Sequence, residues 1–360
     1  MTVDFRFDED QARFRDSVRA MLAKECSPER LRALSTSESA RSAELWKQIA
    51  ELGLTGLLVP EEHGGLGLGE VDFVLALEEA GRAALAEPLA ETAAVAAPLL
   101  AAIDSKALAA EWLPAVAAGE ATIAVGHPNN AFIADAHVAK LLLLERDGEI
   151  HAIPPAQAKL THQPSIDPLR RIFSVDWQAT AATRVASGAT AKRALAAAFD
   201  RGAWATAAEQ IGVADALVAA AVAYACQRQQ FGQVIGSFQA LKHMLANVTV
   251  RIEYAKPVVH RAAFAIAQVL PERDVACSHA KAAASEAAAM AAKAALQVHG
   301  AIGYTWEVDL HLWMKRAWSL DHSWGSAAIH RARIAERVLD GAGPAPSFGF
   351  RARWESRQEN

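Results

Sequence analysis

Along residues 8–22, and again along 39–52, apolar side chains recur every three or four positions among charged ones. That spacing gathers them on one face and predicts two amphipathic helices. From 53 to 69 the run GLTGLLVPEEHGGLGLG is too rich in glycine, and too close to Pro60, to continue as a helix, so it predicts a structured loop. Helical spacing resumes at 71–84, at 89–102 and at 108–118, where Pro114 is expected to break or kink the helix. A first, helical unit therefore ends near Gly119.

Between 121 and 185 the pattern changes. Short apolar runs at 122–125, 140–144 and 172–175 lie between turns bearing Asn, Gly and Pro, and predict a small β unit. After Thr190 an alanine-rich helical pattern persists almost to Leu339, with breaks near 231–236, 271–273 and 299–305. It predicts long helices packed as a bundle. Pro257 is expected to kink or end the second of them, and the residues after Gly341 read as a frayed tail. The expected fold class is mainly α with a small β domain, in three parts: an N-terminal α-helical domain at 1–119, a middle β domain at 120–187 and a C-terminal α-helical bundle at 188–360.

Composition narrows the picture. A length of 360 residues alone suggests about two domains, and the pattern resolves three. With 52% hydrophobic residues the chain has ample core and disorder is excluded; 21 Gly and 14 Pro amid abundant alanine exclude an all-β fold. Lys and Arg number 36 against 41 Asp and Glu, a net charge of −5, so neither a nucleic-acid groove nor a polybasic membrane patch is expected. Cys26, Cys226 and Cys277 are far apart and odd in number, which fits a reduced, cytoplasmic setting, and the start MTVDFRFDEDQ has no apolar signal core. The longest apolar stretch, 213–226, is too short to span a membrane. Paired Glu-x-x-His motifs of a di-iron bundle are lacking, and no metal is expected.

Three features carry candidate chemistry. Arg228 follows a helix and precedes a glycine turn, where a fixed guanidinium suits a pyrophosphate gripped bidentately while Gly232 lets the chain reverse. Gln239 opens the next helix, where a side-chain amide and exposed backbone N–H groups suit an anionic ligand. Gly300 and Gly303 let backbone approach a flat or phosphorylated ligand. The bland alternative is that Arg228 pairs with a carboxylate and the glycines merely end helices.

Four stretches, in order, resemble the acyl-CoA dehydrogenase family over nearly the whole chain. They are the 53–69 loop; Arg228-Gln229-Gln230-Phe231-Gly232, similar to the family's Arg-x-x-Phe-Gly; Phe238-Gln239-Ala240-Leu241-Lys242, similar to its Gln-x-Leu-Lys; and Gln297-Val298-His299-Gly300-Ala301-Ile302-Gly303-Tyr304-Thr305. The last is similar to a Gln-x-x-Gly-Gly-x-Gly loop, with Ala301 for the second glycine. The resemblance implies the family's fold, whose C-terminal part is a four-helix bundle, and FAD as cofactor. It further implies dehydrogenation of a CoA thioester, in which a glutamate takes the α-proton and the β-hydrogen leaves as hydride to the flavin. In the family the flavin lies at a subunit interface. By that likeness Arg228, Phe231, Gln239, Gln297, Val298, Gly300 and Ala301 are cofactor-binding candidates that reach into a neighbour's site.

The same likeness shows what is missing. The family's glutamate stands in a late Tyr-Glu-Gly-Thr segment or, in a minority, on the helix leading to Arg-x-x-Phe-Gly. Here those positions hold Trp324 and Gly202, neither of which can take a proton. Asp200 and Glu209 are the nearest displaced carboxylates, and each also reads as a surface or capping charge. The family's Thr-Glu-Pro-x-x-Gly-Ser-Asp has become Gly126-His127-Pro128-Asn129-Asn130-Ala131, the polar run after the base is Ser326-Ala327-Ala328, and the middle unit is shortened. The resemblance then implies one subunit of a heteromeric enzyme, two copies of each chain, in which a partner supplies the glutamate and holds most of the acyl-CoA. The 303–313 run resembles subunits that act on CoA thioesters of steroid side chains and ring remnants. A self-sufficient homomer with a displaced base, and a flavin-free scaffold, remain alternatives. Glu307 and His311, four apart, are expected on one helical face, as a ligand pair or as packed residues. His322 and His330 flank Trp324 and either line a vestigial site or face solvent.

Overall fold

The computed structural model describes residues 6–103 and 105–339, so the tail read as frayed lies outside the described residues. The N-terminal part comprises α1 (Glu9–Glu25), α2 (Pro28–Thr36), α3 (Ala43–Glu51), α4 (Glu70–Arg82), a π-helical segment (Ala90–Ala96) that runs on into α5 (Ala97–Ala102), and α6 (Lys106–Ala117). Local chemistry sets the starts. Asp8 and Gln11 form a reciprocal capping box on α1, Ser27 caps α2 ahead of Pro28, and Ser42 and Ser105 cap α3 and α6. Helix α2 escapes the periodicity reading because it fully buries only Leu31.

The loop before α4 is ordered by its own backbone: the Leu66 and Gly67 N–H groups donate to the Gly56 and Val59 carbonyls, both at 2.9 Å. Of the break or kink expected at Pro114 and the kink or end expected at Pro257, the structure excludes the break and the end, for both prolines sit inside continuous helices, α6 and α8 (Gln239–Ala267). Both rings are exposed, and the residues one turn back, Ala110 and Glu253, are exposed too, so each carbonyl deprived of its partner opens toward solvent.

The middle part holds β1 (Ile123–Gly126), β2 (Ile133–Ala134), β3 (Leu141–Arg146), β4 (Glu149–Ile153), β5 (Lys159–Gln163), β6 (Ile172–Asp176) and β7 (Arg184–Ala186). One sheet runs β1-β3-β4-β7, with β1 parallel to β3 and Ile123 opposite Leu141; the other runs β2-β6-β5 and is antiparallel. The bundle consists of α7 (Gly188–Gln227), a hairpin of β8 (Gln229–Gln230) and β9 (Gln233–Val234), α8, α9 (Arg273–His299), α10 (Leu310–His322) and α11 (Ala327–Val338). Helices α7, α8, α9 and α10 pack on one another and α11 lies against α9.

By length and apolar composition α7 is long enough to cross a membrane. In this fold residues 202–214 are buried without interruption, as expected of a helix surrounded by protein on all sides. Its crossing with α4 is backbone on backbone. A Cβ added to Gly212 would lie 1.8 Å from the Glu78 carbonyl oxygen, and one on Gly81 would lie 1.9 Å from that of Glu209. One core joins the N-terminal helices to the bundle. A second joins the π-helical segment, β1, β3, the start of α7 and Trp324, and a third lies between the sheets.

Candidate functional site

The candidates for cofactor binding gather at one end of the bundle. Helix α7 stops at Arg228, whose N–H donates to the Tyr224 carbonyl at 2.9 Å, and the chain then reverses through Phe231 and Gly232, both with positive φ. Paired positive φ values suit a two-residue hairpin turn. The Ile235 N–H closes the hairpin on the Arg228 carbonyl at 2.8 Å, and α8 begins at Gln239 with no side-chain cap on its first turn. The Tyr224 ring stacks on His299, centroids 4.3 Å apart, which brings the end of α9 alongside the hairpin.

Arg228, Phe231, Gln239, Gln297, Gly300 and Ala301 are all exposed there, and Phe231 is 92% exposed. Val298 differs: its side chain is buried in the core, so only its backbone faces that end. Among the described residues the Arg228 guanidinium makes no ion pair, and Gly300 ends α9 as its C-cap.

The two positions expected for the base, Gly202 and Trp324, are remote in sequence and one place in space. A Cβ built on Gly202 would fall 2.1 Å from Trp324 Cδ2, so the indole lies against the bare backbone of α7. Trp324 is 1% exposed and takes φ 53°, a left-handed conformation rare for a bulky residue. Three bonds hold it: its N–H donates to Asn130 Oδ1 at 2.7 Å, its Nε1–H to Glu91 Oε1 at 3.1 Å, and its carbonyl accepts from His330 Nε2 at 2.8 Å. Burial holds the His330 imidazole down to about 4, hence neutral; its remaining nitrogen, Nδ1, meets Ser278 Oγ at 3.1 Å. Phe199 stacks between His330 and His127.

Models of the N-terminal and the C-terminal domain of acyl-CoA dehydrogenases match residues 8–120 and 192–339. The chain belongs to the acyl-CoA dehydrogenase family. It is 34% identical over 313 residues to the acyl-CoA dehydrogenase IpdE2 of Mycobacterium tuberculosis, covering 86% of this chain and 91% of that protein. Its fold is that of the ChsE4-ChsE5 complex from Mycobacterium tuberculosis, with TM-score 0.83, 23% identity and coverage of 95% of this chain and 100% of the matched one. The same holds for a variant of the Tcur3481-Tcur3483 steroid ACAD, with TM-score 0.82, 23% identity and coverage of 93% and 99%.

For an acyl-CoA dehydrogenase the fate of the nearby carboxylates matters most. Asp200 is 2% exposed and held by Arg273 at 3.0 Å and Arg333 at 2.8 Å, so it is a structural ion-pair partner. Glu209 lines a small internal cavity with Arg41, Asp135, Arg170 and Arg316, and burial pushes its carboxyl up. Glu307 corrects the expected helical pair with His311: it lies in the turn before α10, and His311 instead packs on Trp306 with ring centroids 4.5 Å apart. His330 is buried beneath Trp324, whereas His322 lines an adjoining cavity of about 310 Å³.

Sequence reasoning missed Glu91. It lies on the π-helical segment and faces that same cavity, with Asn130, Phe132 and Arg170 also in the lining. Burial pushes its carboxyl up to about 7, against the opposing pull of Arg170 and the Trp324 donor. A lone acid in the run Ala90-Glu91-Thr92-Ala93-Ala94-Val95-Ala96 was the available signal. Asn130, read only as a lost motif, proves to be a support for Trp324.

Proposed function

We propose that this chain is the subunit without a base in a heteromeric, FAD-dependent acyl-CoA dehydrogenase, lending flavin-binding residues across an interface to a partner that carries the glutamate and most of the acyl-CoA. One observation carries the reading. Gly202 lies on α7 and Arg228 caps its C-terminus, about 40 Å away at ~1.5 Å per residue. The motif that resembles the family's flavin-binding stretch is thus far from the position expected for this chain's own base, which supports a role at a site on another chain.

The donor set at that end fits a dinucleotide. Arg228 offers a bidentate grip for pyrophosphate, Gln239 opens α8 at an N-terminus that no side chain caps, and Phe231 offers an exposed aromatic face. The flavin, when bound, supplies acceptance of the hydride from the β-carbon. This chain's residues bind and orient; Trp324 and Gly202 move no proton. The steroid ACAD among the structural relatives supports a steroid-derived thioester as the substrate class.

The test is Arg228→Ala in the complex reconstituted with its partner. Flavin content should fall severalfold while the two chains still co-purify. Unchanged flavin, or turnover of an acyl-CoA by this chain alone with its own flavin, sinks the reading.

A further inference from the structure

We infer that Trp324 is a built-in occupant of this subunit's own acyl cavity, a side chain that excludes a CoA thioester by filling the space where the reacting carbons of the acyl group would sit. The inference rests on the base positions used above, and goes beyond the loss of a base: a site that merely lacks its glutamate still has room for substrate.

Room is what the structure denies. The indole lies on Gly202 so closely that even a methyl group there has no space, and its far edge reaches Glu91 at 3.1 Å. Both places from which a family member extends its glutamate are therefore spanned by one ring. The ring is also fixed. A non-glycine residue at φ 53° is disfavoured, and persists here because Asn130, Glu91 and His330 each hold a different part of Trp324.

The departures from the family's pattern support one another. Asn130 and His127 come from the altered 126–131 segment. Asn130 bonds the Trp324 backbone, and the His127 ring lies 5.7 Å from the indole. Gly202 makes the notch beneath. Random erosion of an idle site leaves holes and unpaired polar atoms. Here the replacements form a closed, hydrogen-bonded plug, and the cavity of about 310 Å³ that remains lies beside it, over Glu91, Arg170 and His322.

The experiment counts sites in the assembled complex by calorimetry, with the unreactive thioether analogue of hexanoyl-CoA as probe. Trp324→Ala should gain one binding site per copy of this chain relative to the wild type. No gain overturns the inference, as does a wild-type complex that already binds one analogue per chain of either kind. Trp324→Leu keeps part of the apolar filling and guards against misfolding of the alanine variant; it should show the same gain at weaker affinity. Flavin content, the readout for Arg228, does not enter this count, so either reading can fail alone.

Discussion

At Gly202 one hydrogen atom decides whether Trp324 can be where it is. Alanine there puts a methyl group 2.1 Å from the indole, so the ring must give up its bond to Glu91 or α7 must shift. Gly202→Ala should therefore cost about 1–3 kcal/mol as an overpacking change, read by chemical denaturation, even though alanine favours a helix over glycine. Unchanged stability would mean that the ring has space to yield. Glu91 gives a pH signature. Its carboxyl is raised from 4.5 to about 7, so between those values the folded chain keeps a proton that the unfolded chain has released. Stability then falls as pH rises through that window. Glu87, raised likewise by burial to about 7, adds a slope of the same sign. Glu91→Gln should flatten the melting temperature between pH 5 and 8, in part because Glu87 remains; a profile as steep as wild type counts against the assignment. His127 and His330, both held near 4 by burial, give the opposite slope below 6.5, where the unfolded imidazoles gain protons first.

At the scale of elements the molecule depends on two helices that meet without side chains between them. Gly81 on α4 faces the Glu209 backbone and Gly212 on α7 faces the Glu78 backbone, so neither partner is a flexible side chain that can move aside. Gly212→Ala should destabilise by at least the ~1–3 kcal/mol of a core overpacking change, and should do so more than Gly148→Ala, which meets nothing and suffers only from its positive φ. Equal melting temperatures for the two variants would argue that α4 and α7 slide freely. The crossing also sets the site, because α7 carries Gly202 in its buried middle and leads to Arg228 at its exposed C-terminal end. The π-helical segment is tied to the sheet in the same way: Thr92 Oγ1 accepts from the Ile123 N–H at 3.2 Å, two residues upstream of the β1 residue Val125 that lines the cavity with Glu91.

For the whole molecule, the proposed function gives the exposed hairpin end a stake in assembly. Phe231 is 92% exposed and meets the Phe238 ring edge-on, centroids 6.1 Å apart, so Phe231→Ser should change the stability of the isolated chain by less than about 0.5 kcal/mol. In the complex the same change removes an aromatic anchor and should weaken association by about tenfold or more, measured by the concentration dependence of sedimentation. Loss of stability in the isolated chain with unchanged association would reverse this assignment.

Much of this was open to reading in the chain itself. Helix periodicity, the switch to short strands after Gly119, and the Arg228, Gln239 and Gly300 motifs are local patterns, and local hydrogen bonding and capping turn them into the same elements in the structure. The absence of a glutamate at Trp324 and Gly202 was legible too, since it is a matter of residue type. What only the tertiary structure decided is which residues share a volume. It made Gly202 and Trp324 a single place, brought Asn130 and Glu91 to hold the indole, and bound Asp200 to Arg273 and Arg333. Periodicity reports which face of an element is buried, not what lies against it; that is set by close packing between elements far apart in the chain, where a missing side chain on one helix is matched by a large one from another.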